Sequence, residues 1–436
     1  MKVSLFQGIL IGVFALGALI GLFVFSNYTS KNTGNTGVGT VVIWGTLPGS
    51  AMKAALADVV KKDTSLKSVS YVQKDEATLP SDLAAAIATG AAPDLVLASQ
   101  ENLESLAKFL TPIPLSTLSA NTFQNSFVRE GQIFTVPNGG GFYGVPLLVD
   151  PLVLFSNPTI LSSDGIVKPP ATWEALTGLV PNVAVLTPTK QITRGLVALG
   201  TYDNVHDARG ILSTLFFQTG VPVASYSLGG ILSADLGASA SAGVPPGQAV
   251  LNFYTQFADP SKVSYTWNGS LPDSEQAFLA GDLALYLGYA SEAQYFSTAN
   301  PNLAFEVTPV PEPAAATAKT AYGLIYALMI PRGAKNVSGA YLAATALAGA
   351  PAQSALASDT GLAPATLTNL AAAPPDPTAA VAYSEALYAA GWLSPAPADT
   401  DSVFSAMIGN VISGRSTLTT ALSTAQSSLS ALLQQQ

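Results

Sequence analysis

The chain has 436 residues, 49% of them hydrophobic and only 10% charged, with a net charge of -9. That apolar content excludes a disordered chain, the length exceeds what one compact core holds, and 18 Lys+Arg without a basic cluster exclude a nucleic-acid binder. No cysteine is present, which excludes disulfides, thiolate metal sites and a lipid-modified Cys anchor; with one histidine, His206, no metal and no cofactor is expected.

Residues 5–25 carry no charge and only one strongly polar side chain, Gln7. As a helix rising 1.5 Å per residue, the segment spans roughly the ~30 Å hydrocarbon core. Lys2 and the amino terminus precede it, so residues 1–4 are expected in the cytoplasm and the rest of the chain outside. The alternative is a cleaved signal peptide. That reading needs a shorter apolar region and a small-x-small site, which Phe23 to Tyr28 supplies poorly. Residues 26–39 are polar and Gly-rich and read as a flexible linker.

The folded part opens with a β-branched run at 40–45, expected as a buried strand. Met52, Ala55, Leu56, Val59 and Val60 then repeat at helical spacing, with Ser50 as a plausible N-cap. Strands are predicted at 69–72 and 93–98, with helices at 82–89 and 102–109. Strands alternating with helices imply a parallel sheet covered on both faces. Residues 143–150 and 152–155 are extended and apolar, and Thr172 can cap the next helix. Strands follow at 303–311 and 322–330, and a helix at 336–349. The last helix carries a stripe of Leu418, Ala421, Leu422, Ala425, Leu429 and Leu432.

Six short motifs occur in one order. They are Ala92-Pro93-Asp94-Leu95-Val96; Tyr143-Gly144-Val145-Pro146 followed by Leu154-Phe155-Ser156-Asn157; Pro170-Ala171-Thr172-Trp173-Glu174; Phe278 to Leu285; Asn300-Pro301 with Val310-Pro311; and Gly414-Arg415 before the last helix. Each is weak alone. Together the chain resembles family 1 extracellular solute-binding proteins, the sugar-binding components of ABC importers similar to maltose-binding protein. Ser156 and Leu285 depart from the family's Tyr and Met, at packing positions.

The resemblance implies an α/β, two-lobe periplasmic-binding-protein-like fold of type II, here with an N-terminal transmembrane helix. Residues 40–148 plus 303–348 are expected in the N-terminal lobe, and 150–300 plus 352–436 in the C-terminal lobe. Crossings are expected near 148–150, 300–303 and 348–352. Ligand would lie in the cleft, and the lobes would close on it by hinge motion.

A sugar presents hydroxyls at its edge and C–H groups on its faces, so its site needs carboxylates or amides together with aromatic rings. By the resemblance, Asp150 stands where the family carries an acidic ligand-binding residue; a turn-forming Asp before Pro151 is the other reading. Trp267 lies in a polar, loop-like setting, Tyr289 follows a strand where the family presents an aromatic, and Trp392 suits the cleft edge; each can equally be core. Thr46, Gln100 and Glu101 follow strands at their carboxyl ends, where open α/β sheets bind ligands. Trp44 and Trp173 read as packing residues, and His206 as exposed or capping.

No phosphate loop, dinucleotide fingerprint, zinc-protease motif or nucleophile elbow is found. The expected function is therefore capture of a small polar ligand, a sugar or oligosaccharide, by a monomer that delivers it to ABC permease subunits with a separate ATPase. Two alternatives remain: the same fold binding a non-sugar solute or sensing a ligand, and an extracytoplasmic carbohydrate-active enzyme.

Overall fold

The computed structural model describes residues 37–227, 229–240 and 243–435. The expected cytoplasmic tip, the membrane segment and most of the linker lie outside these residues. No helix among the described residues is long and apolar enough to cross a membrane.

The first lobe begins with β1 (Val41–Gly45), α1 (Gly49–Lys62), β2 (Val69–Gln73), α2 (Leu79–Ala88) and β3 (Leu95–Ser99). β1 pairs in parallel with β2 and β3, with Val41 opposite Val69 and Ile43 opposite Leu95. α1 buries Met52, Ala55, Leu56 and Val59, the stripe its spacing predicts. Ser50 does not cap it: the helix starts at Gly49, whose amide donates instead to Gln73 Oε1 at 2.8 Å. α2 ends where Gly90 turns the chain with φ of 69°.

β4 (Gly144–Ser156) is buried along all thirteen residues. It runs unbroken through Pro146 and Pro151, joining what the sequence shows as two stretches. The second lobe follows: α3 (Trp173–Val183), β5 (Val185–Leu186), β6 (Ile192–Val197), α4 (Ala208–Gln218), the hairpin β7 (Val223–Tyr226) and β8 (Leu232–Asp235), α5 (Pro246–Thr255), β9 (Leu283–Tyr289), α6 (Glu292–Ala299) and β10 (Glu306–Thr308). Thr172 caps α3 as expected, its Oγ1 accepting from the Ala175 amide at 3.2 Å.

The chain then returns through β11 (Ala321–Met329), α7 (Ala350–Thr360), β12 (Ala363–Pro364), α8 (Pro377–Ala386), β13 (Ala389–Ala390), α9 (Pro397–Ile412) and α10 (Leu418–Leu433). The main sheet has the order β2-β1-β3-β11-β4-β9-β6-β5.

Strand pairing locates the crossings. β4 pairs with β11 from Gly144 to Pro151 and with β9 from Leu152 to Ser156, so one strand serves both lobes. β10 still pairs with the far end of β4, Glu306 opposite Ser156. The expected changeover at 300–303 therefore moves to the connector between Thr308 and Gly323. Asn300 ends α6 instead, its side chain donating to the Leu279 carbonyl. Likewise α7 packs on α1, and β12 pairs with β4, Ala363 opposite Val149. The third changeover accordingly falls beyond residue 364, not at 348–352, where Gly349 starts α7. α10 ends the chain against α5, α9 and β8, burying Ala421, Leu422, Ala425, Leu429 and Leu433.

Candidate binding cleft

β3 ends at Ser99, and the next turn, Gln100-Glu101-Asn102, is buried although entirely polar. Burial of such groups requires partners. Gln100 donates from Nε2 to the Gly323 carbonyl at 3.0 Å and to the Tyr322 hydroxyl at 3.2 Å, and its Oε1 accepts from the Ile325 amide at 2.7 Å. Glu101 takes its partner from the other lobe. Arg209, one residue into α4, donates from Nε to Glu101 Oε1 at 2.9 Å and from Nη2 to Oε2 at 2.7 Å. Its Nη1 donates to Asp401 Oδ2 at 2.7 Å and to the Pro397 carbonyl at 3.2 Å. The Tyr322 hydroxyl also donates to Glu101. The forked geometry matches a guanidinium to a carboxylate.

This ion pair borders a cavity of about 560 Å³ between the lobes. Glu76 and Glu101 face it from the first lobe. Tyr202, Asp203, Asp207, Arg209, Asp273, Tyr289 and Asp401 face it from the second, and Leu324 of β11 from between them. α4 approaches closely because residue 210 is glycine. A Cβ there would lie 2.9 Å from the Tyr289 hydroxyl and 3.4 Å from the Tyr322 ring. Burial holds the Tyr289 phenol well above its ordinary pKa, so it stays neutral and can both donate and accept. Beside the cavity, the Tyr286 hydroxyl lies 2.5 Å from Glu292 Oε2 and 3.1 Å from Asp207 Oδ2, and Glu292 Oε1 accepts from the Tyr289 amide at 2.8 Å. Burial, and then the charge of Asp207, push the Glu292 carboxyl well up.

Of the residues singled out from sequence, Glu101 and Tyr289 meet at this cavity. Gln100 stands directly behind it with every polar atom engaged. Asp150 does not line it. Its carboxylate is buried on β4 and accepts from Ser291 Oγ at 2.6 Å and from the Ser291 amide at 3.1 Å. Burial pushes that carboxyl up to about 7. Trp267 is a core residue, 1% exposed, with Nε1 unpartnered. Trp392 is also buried and donates to Ser213 Oγ at 3.0 Å. Its ring borders a separate cavity of about 540 Å³ between Gln132–Pro137 and the β7–β8 hairpin. There Tyr226 reaches Glu104 of the first lobe at 3.4 Å. Thr46 is half-buried beyond β1 and away from both cavities. Trp173 packs as expected, Trp44 lies under the Lys74 ammonium at 3.9 Å, and His206 is exposed at the rim of the first cavity.

Sequence reasoning passed over Glu76, Tyr202, Asp207, Arg209 and Asp401. Four of these could have been found. Glu76 follows β2, and residues 202–209 follow β6, so all four obey the strand-end rule that picked out Glu101. Asp401 carries no local signal, because it reaches the cleft from α9, 192 residues beyond Arg209.

Two α/β lobes that share strands, with a polar cavity between them at the strand ends, define a periplasmic-binding-protein-like fold. The family model of bacterial extracellular solute-binding proteins matches residues 55–385, and the chain belongs to that family. Its fold is similar to that of the cyclic alpha-maltosyl-1,6-maltose binding protein from Arthrobacter globiformis, with a TM-score of 0.74, 15% identity, and coverage of 91% of this chain and 99% of that one. It is also similar to a cyclo/maltodextrin-binding protein complexed with maltotetraose, with a TM-score of 0.71, 17% identity, and 91% and 97% coverage. The GacH receptor of Streptomyces glaucescens, solved with acarbose, gives a TM-score of 0.67, 17% identity, and 91% and 98% coverage. No curated protein matches the chain in sequence.

Proposed function

We propose that this protein captures a saccharide in the cleft between its lobes, outside the cytoplasm, and delivers it to the permease of an ABC importer. The observation that carries the reading is the cavity of about 560 Å³ where Glu101 of one lobe faces Arg209 and Tyr289 of the other. Carboxylates can accept from sugar hydroxyls, and the tyrosine ring offers an apolar face. The structural relatives named above, described as binding maltose-type saccharides, support the ligand class. The uncharged segment at 5–25 supports a membrane tether. Transport energy then comes from partner subunits, and the ligand leaves unchanged.

Calorimetric titration against a panel of saccharides tests this. The expected result is saturable one-to-one binding, at least tenfold weaker in Tyr289→Ala, with the ligand recovered intact. Absence of binding across neutral, amino and acidic saccharides and polyols would overturn it.

One observation favours a second reading, a cationic solute. Glu76, Asp203, Asp207 and Asp273 face the cavity, while Arg209, its only arginine, already faces Glu101 and Asp401. A cationic guest predicts affinity that falls steeply with added salt. A neutral saccharide predicts affinity that hardly changes.

A further inference from the structure

A third cavity, of about 520 Å³, lies between α3, α4 and α5 and shares no lining residue with the cleft. Trp173, Leu215, Val250 and Phe253 form its apolar walls, with Pro313 of the interlobe connector closing one side. The rings of Trp173 and Phe253 meet edge to face, 5.6 Å apart.

The uncharged polar side chains around it are already engaged. Gln218 accepts from Trp173 Nε1 at 2.6 Å and donates to the Pro311 and Thr320 carbonyls at 3.0 and 3.1 Å. Thr177 donates to the Trp173 carbonyl, and Thr219 to that of Phe216, each at 2.8 Å. Gln256 donates to the Phe253 carbonyl at 3.1 Å and accepts from Ser264 Oγ at 3.1 Å. Glu174, whose residue is exposed, accepts from the Ala314 amide at 3.0 Å. A polyol entering here would lose its hydration and find few free partners, whereas an apolar guest would lose nothing. The chemistry is thus the reverse of the cleft's.

We propose that this cavity is a second ligand site, selective for a compact aromatic or apolar molecule. It stands independently of the saccharide reading. Because Gln218 and Pro313 hold the connector between the lobes, a guest in the cavity touches the segment that joins them.

The chain has no cysteine, so one introduced thiol is the only thiol. Full-length Ala249→Cys places it at the cavity, and Val263→Cys, on a residue 78% exposed, serves as control. Each variant is equilibrated with a naphthyl disulfide and a hydroxyethyl disulfide, and capture is read by intact mass. The expected result is at least tenfold preference for the naphthyl fragment at position 249, none at 263, and loss of the preference with excess free naphthalene. Thr177→Trp in the Ala249→Cys background fills the cavity and should abolish the preference. If that variant does not fold, the comparison of the two cysteine variants decides alone. Equal preference at 249 and 263, or preference untouched by naphthalene, overturns the proposal.

Discussion

Glu101 and Arg209 belong to different lobes and are 108 residues apart, yet they form a two-pronged ion pair at 2.9 and 2.7 Å. The side chains are 2% and 18% exposed, so Glu101 depends on Arg209 to balance its charge, while Arg209 has Asp401 as a second partner. Removing Arg209 leaves Glu101 buried without a cation, which costs about 3–5 kcal/mol for a buried pair; removing Glu101 costs less, because Arg209 keeps Asp401. Glu101→Gln is therefore expected to lower the melting temperature by several degrees. Glu101→Gln combined with Arg209→Met should recover part of that loss. Calorimetry on Glu101→Gln, Arg209→Met and the double variant checks it, and a double variant no better than the sum of the singles would show that the two residues are not coupled.

Gly210 lets α4 come up against Tyr289, and an added Cβ would meet the phenol oxygen at 2.9 Å. The phenol can swing away, so Gly210→Ala should leave the fold intact. The displaced hydroxyl should weaken saccharide binding roughly tenfold, which is about 1.4 kcal/mol. Titration of the variant alongside Tyr289→Phe checks this. The two are expected to show similar losses, because both remove the hydroxyl from its place.

The regular elements could be read from sequence wherever a period was clear. α1 shows its stripe of Met52, Ala55, Leu56 and Val59, and β4 shows two apolar stretches on either side of Asp150 and Pro151. The crossings could not be read in the same way. Asn300 and Gly349 break the chain as strongly as a crossing would, yet both turn it within one lobe. A break signals a change of direction and carries no information about the next partner. Two of the aromatic candidates are misread for a related reason. Trp267 and Trp392 sit among Asn, Gly and Ser, which suggests exposure, but long-range packing buries them to 1% and 2%. The strand-end rule marks the position of Arg209, but no local pattern encodes its pairing with Glu101 and Asp401.

Burial of those two tryptophans gives a test that separates core from cleft. Trp392→Phe leaves Ser213 Oγ, which is buried, without the indole donor. An unsatisfied buried group costs about 1–3 kcal/mol. Trp267→Phe removes an N–H that has no partner, so its polar loss is nil. The expected outcome is that Trp392→Phe loses stability in denaturant titration through its orphaned hydroxyl. Saccharide affinity in Trp267→Phe should stay within about twofold of the parent, since the ring is enclosed away from the cavity.

Asp150 ties β4, the strand shared by both lobes, to the loop that starts α6, through Ser291. Burial raises its carboxyl from 3.8 to about 7, against the opposing pull of the two Ser291 bonds. The sign follows from linkage. Below pH 3.8 the acid is protonated in both folded and unfolded chains, and no penalty exists. Between 3.8 and 7 the unfolded chain ionises first, so folding is progressively disfavoured as pH rises. Above 7 the penalty is complete, and a shift of that size corresponds to on the order of 4 kcal/mol. Asp150→Asn cannot ionise and escapes this trend. Its stability relative to the parent should therefore improve steadily from pH 4 to pH 7 and then level off. Denaturant unfolding of both proteins across that range measures the difference, and a flat difference would mean that Asp150 stays ionised in the folded protein.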